Sequence, residues 1–226
     1  MRVVAVLVAL GTICIGASGC ESDSGLNTEK IIAATFIVEA DGCGPRTRMG
    51  VGTSVGDGLV VTAAHVVAGT DLVELVDHRG EATSADIVLF DAALDVAAMR
   101  PVVVPTTSVT LRSERANQGE SGVTALAAAD GSITVIDVDV VQRVSILTTD
   151  IYRDDDVERP GLRVAAAIEP GDSGAMVHLA GGGVGIIWSR STERADQAWT
   201  VDLPEQLTRS DSRLALVDPI NTGPCP

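Results

Sequence analysis

A chain of 226 residues with 46% apolar side chains is long enough and apolar enough for one large domain or for two small halves that share an interface. Its formal net charge is -15, with Lys30 the one lysine among 16 basic residues; no arginine-rich stripe or interleaved aromatic platform offsets that charge, which argues against nucleic-acid binding. Aromatic residues make up only 2%, so any core is built mainly from Val, Ile, Leu and Ala.

Met1 and Arg2 precede VVAVLVALGTICIGA, an apolar stretch through Ala17 that falls short of the roughly 20 residues of a free-standing membrane span and fits a signal peptide over 1–19. Ala17-Ser18-Gly19-Cys20 resembles a bacterial lipobox, in which Cys20 takes a lipid after cleavage and anchors the chain to the cell membrane from outside the cytoplasm. Ordinary secretion and an uncleaved anchor are the alternatives. Residues 20–30 then read as a tether. With Cys14 lost with the leader and Cys20 lipidated, Cys43 and Cys225 remain as a pair that an oxidising compartment can join.

From Ile31 onward, short runs rich in Val, Ile and Thr are broken by Gly, Asp and Pro, the pattern of β-strands and turns. IIAATFIVE, MGVGTSV and GLVVTAA, then DLVELVD, ATSADIVLF and LDVAAMRPVVVP, make a first half. The polar segment SERANQGES at 113–121 marks a boundary. Beyond it SGVTALAA, ITVIDVDVVQRVSIL, GLRVAAAI, GAMVHLA, GGVGIIWS and AWTVDL repeat the style, and EQLTRSDSRLAL at 205–216 suits a short helix. Nothing resembles the helical crossover of a βαβ unit, so two β-rich halves are expected rather than one open parallel sheet.

Taking a proton from an alcohol at neutral pH needs a base, and neutral imidazole suits that task. Of three histidines, His78 in VDHRG reads as a turn residue and His178 follows the apolar run AMV, whereas His65 ends the strand-like VVTAAH. Alone, His65 is as readily a structural histidine. A catalytic imidazole needs an acceptor on its other nitrogen, and FDAALDVAAMRP offers Asp91 and Asp95. Asp95 enters an apolar run directly and is the better buried partner; Asp91 belongs to the turn before it. Third comes PGDSG, whose glycine permits a backbone that turns the amides of Gly171 and Ser173 toward one point as an oxyanion hole. A plain proline-glycine turn is the bland alternative. No metal cluster, phosphate loop or redox motif points to a cofactor.

TAAH, then ALDVA thirty residues on, then PGDSG a further seventy-eight on, put His65, Asp95 and Ser173 in the chain order of the chymotrypsin fold. On these motifs the sequence resembles the trypsin-like serine proteases over roughly 31–222. DGCG, GLVVTAAHVVAG, DIYR, EPGDSGA and VDPINTGPC resemble in particular a mycobacterial branch of membrane-anchored periplasmic acid-resistance proteases. The resemblance implies an all-β, chymotrypsin-like fold of two six-stranded antiparallel β-barrels, about 31–115 and 118–222, with the active site between them. It also implies peptide hydrolysis by Ser173, His65 and Asp95, and a Cys43–Cys225 bridge. That branch is anchored by several transmembrane helices, which a lipid on Cys20 would replace here.

Two residues depart from the family pattern. Ala175 stands where the nucleophile motif commonly has a second glycine, and Trp188 stands in GIIWSRS where a small residue is common on the strand that pairs with substrate. Both are expected to narrow the cleft. The resemblance places Ala167 at the floor of the primary pocket, with Trp188 and Arg190 at its opening, which implies preference for a small or medium apolar residue before the scissile bond. KIIAA at 30–34 faintly resembles a zymogen activation cut, but alanines replace the usual glycines and activity without cleavage is expected. The competing reading is a catalytically weak or inactive binding module of the envelope on the same fold.

Overall fold

The computed structural model describes residues 26–42, 44–70, 72–203, 207 and 220–226. The expected signal peptide, the lipid site Cys20, Cys43 and the 205–216 helix, Leu207 aside, lie outside the described residues.

The first element is a helix. Asn27 accepts the Lys30 amide at 2.9 Å and so caps α1 (Thr28–Ala34), and Thr35 closes the other end by donating its hydroxyl to the Ile31 carbonyl. This corrects two expectations: residues 28–30 are helix rather than tether, and the first strand begins at Thr35, not Ile31. The physical reason is the capped start combined with IIAA, four apolar residues without alternation, which bury Ile31 and Ala34 from a single helical turn. The Lys30–Ile31 bond that resembles an activation site is wound into this helix.

Six strands follow: β1 (Thr35–Asp41), β2 (Arg48–Ser54), β3 (Val60–Thr62), β4 (Leu72–Asp77), β5 (Ala82–Asp91) and β6 (Val96–Pro101). They close into a barrel in the order β1-β2-β3-β6-β5-β4, every pair antiparallel. A second barrel, in the order β10-β11-β12-β9-β8-β7, is built from β7 (Ser121–Ala127), β8 (Ile133–Thr149), β9 (Asp156–Ala165), β10 (Met176–Leu179), β11 (Gly182–Arg190) and β12 (Gln197–Asp202). The expected all-β, two-barrel architecture is therefore the observed one. Closure removes open sheet edges, which suits a chain whose strands are rich in Val and Ile.

Packing joins the barrels. One cluster of buried side chains contains Val38, Val60, Leu75 and Met99 of the first barrel together with Val123, Met176, Ile186 and Val201 of the second. Another groups Val140, Leu162, Val164, Val177 and Ile187 around Val51, which comes from the first barrel. Each such side chain contributes about 1.5–3 kcal/mol of burial, so the interface resists sliding and fixes one barrel against the other. The linker between them is tied to both, through Val109 N–H to Ser54 O at 2.9 Å and Arg112 N–H to Gly183 O at 2.9 Å.

His178 on β10 is 2% exposed and its Nε2 has no hydrogen-bond partner. Burial holds its pKa down at about 4. The folded value lies below that of the unfolded chain, so the unfolded state binds the extra proton, and stability falls as pH drops from about 6.5 to about 4 by roughly 3 kcal/mol. His178→Leu should remove this contribution; urea unfolding at pH 7 and pH 4.5 should show a smaller difference for the variant than for the parent chain.

Candidate active site

Directly after β3 the chain turns into the single helical turn α2 (Ala64–Val67), which carries His65. Arg48 on β2 holds that turn by donating to the His65 carbonyl at 3.1 Å and to the Ala68 carbonyl. Asp95 sits in the turn between β5 and β6 with φ +62°, a left-handed conformation that aspartate tolerates better than most residues. Its carboxylate is 2% exposed and is used at both oxygens: Oδ1 accepts the His65 backbone N–H at 2.8 Å and Oδ2 meets His65 Nδ1 at 2.8 Å. The second contact puts the ring proton on Nδ1 and leaves Nε2 as a proton acceptor. Asp91 has another task, accepting the Leu94 N–H at 2.8 Å to shape the turn that presents Asp95.

Ser173 arrives from the second barrel. The turn before it is closed reciprocally, Asp172 N–H donating to the Glu169 carbonyl at 3.1 Å and Glu169 N–H to Asp172 Oδ2 at 2.7 Å. Burial pushes the Asp172 carboxyl above its ordinary value, opposed by that amide. Gly171 has φ +109° and Gly174 φ +92°, so both flank the serine in conformations that favour glycine. Gly174 is needed for space as well: a Cβ there would overlap the Val51 carbonyl oxygen and the Thr62 hydroxyl. The serine segment is thereby stitched to both barrels, with Val51 N–H donating to Ser173 O at 2.8 Å and Gly174 N–H to Ile187 O at 2.7 Å. Its backbone lies against β3, immediately ahead of the turn that carries His65. The amides of Gly171 and Ser173 donate to no acceptor among the described residues.

Ala175 is fully buried and bonded at both ends, to Asp172 O at 3.1 Å and from Ile187 N–H at 2.8 Å. Its methyl belongs to the second barrel's apolar cluster. Ala167 is exposed between buried Ala166 and Ile168. Arg190 reaches back to Glu169 in an exposed ion pair at 3.4 Å. Trp188 lies in a bulge of β11, partly buried, with its ring 4.6 Å from the guanidinium of Arg159.

Arg159 was not singled out from the sequence, where it falls between the strand-like runs ITVIDVDVVQRVSIL and GLRVAAAI. It is 2% exposed on β9 and donates from Nε to the Ala93 carbonyl at 2.7 Å and from Nη2 to Thr149 O at 3.2 Å, with Nη1 3.8 Å from Asp95 Oδ2. The end of the chain is also tied in. Gly69, just past α2, donates to Thr222 Oγ1 at 2.9 Å, Tyr152 donates its hydroxyl to the Thr222 carbonyl, and Cys225 is disulfide-bonded.

Residues 50–185, which include His65, Asp95 and Ser173, match the trypsin-like peptidase domain. The chain belongs to the trypsin-like peptidases. In overall fold it is similar to the active form of the Rv3671c protease from M. tuberculosis, with a TM-score of 0.80 at 22% identity over 98% of this chain and 99% of that one. The inactive form of the same protease gives a TM-score of 0.68 at 22% identity, covering 77% of this chain and 86% of that one. A serine endoprotease from Yersinia pestis gives 0.63 at 17% identity, covering 81% and 65%. No curated protein matches the chain.

Proposed function

We propose that the protein is a serine endopeptidase of the bacterial cell envelope. The observation that carries this reading is the two-point hold of Asp95 on His65, which orients the imidazole with Nε2 as its proton acceptor; the candidate nucleophile Ser173 lies between two left-handed glycines. In the reaction Ser173 Oγ bonds to the carbonyl carbon of a peptide while its proton passes to His65 Nε2. The amides of Gly171 and Ser173 receive the developing oxyanion. His65 then gives the proton to the departing amine as the C–N bond breaks. Water then gives a proton to the same imidazole as its oxygen bonds to the acyl carbon, and His65 returns that proton to Ser173 Oγ as the acyl C–O bond breaks.

Ala167, Trp188 and Arg190 are the proposed determinants of the primary pocket, which takes a small or medium apolar side chain. Ala175 fills a place in the barrel core and does not speak for an inactive binding module. The full chain, purified in its folded form, should take up a fluorophosphonate probe and cleave peptides; a folded chain inert to both would overturn the reading.

Location rests on the leader. Among the described residues no helix is long and apolar enough to cross a membrane. A lipid on Cys20 supplies the anchor in this proposal, and Cys225 pairs with Cys43, closing the end of the chain over the exit of α2. In the producing bacterium, Cys20→Ser should release the protein from the membrane fraction and abolish incorporation of labelled fatty acid. Retention without lipid would show that the apolar leader itself is the anchor.

A further inference from the structure

We propose that Arg159 is a positioning residue that sets the Asp95 turn and the serine-bearing segment against each other across the barrel interface. This rests on the reading of His65, Asp95 and Ser173 as a catalytic triad. A guanidinium with 3% of its side chain exposed costs several kcal/mol to bury unless it is paired and hydrogen-bonded, so its partners are held tightly. Those partners come from both halves of the site. Toward the first barrel, Nε holds the carbonyl of Ala93, two residues before Asp95, and Nη1 faces the same Oδ2 that takes the imidazole. A second bond from the same β8–β9 hairpin, Ile151 N–H to Ala92 O at 3.2 Å, holds the preceding carbonyl. Toward the second barrel, the guanidinium lies over Trp188, whose neighbour Ile187 accepts the Gly174 amide next to Ser173.

The hold matters because Asp95 has a left-handed backbone, a conformation that persists where the surroundings over-determine it. While Arg48 donates to the His65 carbonyl, Arg159 places a positive charge 3.8 Å from the Asp95 oxygen that meets His65 Nδ1. The carboxylates of Asp95, Asp150 and Asp91 surround it, and its own pKa is lowered by burial against their pull.

The test compares Arg159→Met and Arg159→Lys with the parent chain by steady-state peptide hydrolysis at neutral pH. In Arg159→Met, kcat should fall about 10- to 100-fold, the scale for misplacing a catalytic group by about 1 Å. KM should stay within about threefold, since no substrate contact is lost. Arg159→Lys keeps the charge but not the fork, so kcat should recover only in part.

A kcat for Arg159→Met within twofold of the parent, or a loss carried by KM with kcat unchanged, would overturn the proposal. Should the Met variant fail to fold, a Lys variant with parental kcat would overturn it equally. A parent chain that takes up fluorophosphonate while the Arg159 variants match it refutes the positioning role alone; an inert parent refutes the triad and this inference together.

Discussion

Ser173→Ala should lose fluorophosphonate labelling completely and lower kcat on peptides by about 10^6-fold, the scale for removing the nucleophile or the base from an intact triad. The fold should survive, because the anchors of the segment are backbone: Ser173 O receives the Val51 amide and Gly174 N–H reaches Ile187 O, and neither involves the Ser173 hydroxyl. Circular dichroism and thermal unfolding should therefore match the parent. His65→Ala should fall by a similar factor, since Ser173 then has no acceptor for its proton. The double variant should be no worse than either single one, because nucleophile and base act as one unit. Additive losses, or undiminished hydrolysis in Ser173→Ala, would sink the mechanism.

The strands were legible because each is a local pattern of β-branched residues ended by a local break. SERANQGES fell at the barrel boundary for the same reason, with β7 beginning at Ser121. The start of the domain was misread: IIAA carries no period that separates a buried strand from a buried helical turn, and the deciding signal was Asn27, whose capping role depends on a side-chain bond to Lys30. Within the site, His65, Asp95 and Ser173 each sit in a short motif whose glycines or flanking apolar residues mark them out.

Arg159 has no such context. Its partners are Ala93, Asp95, Thr149 and Trp188, which the β8–β9 hairpin and the packing of one barrel on the other bring together. Trp188 drew notice because it stands where the family commonly has a small residue; the bulge between Ile187 and Ser189 and the packing of its ring on Arg159 could not be read from that pattern.

Asp95→Asn should lower kcat by about 10^4-fold, the scale for losing the orienting carboxylate of such a triad, whereas Asp91→Asn should change it little. The two aspartates sit four residues apart in one turn but meet different donors. Among the described residues Asp91 accepts one N–H, that of Leu94, and an asparagine carbonyl accepts it equally well. Asp95 accepts two, the His65 amide on Oδ1 and the Nδ1 proton on Oδ2. An asparagine has one acceptor oxygen. If that oxygen keeps the His65 amide, the NH2 group faces Nδ1 and drives the ring proton to Nε2, leaving the imidazole unable to take a proton from Ser173. The opposite flip sets NH2 against the backbone N–H and loosens the helical turn that carries His65. Either way the cost falls on kcat, and rates for the two variants measured side by side at neutral pH give the contrast. A loss in Asp91→Asn equal to that in Asp95→Asn would mean that the shape of the turn, not the carboxylate on the imidazole, is what the reaction requires.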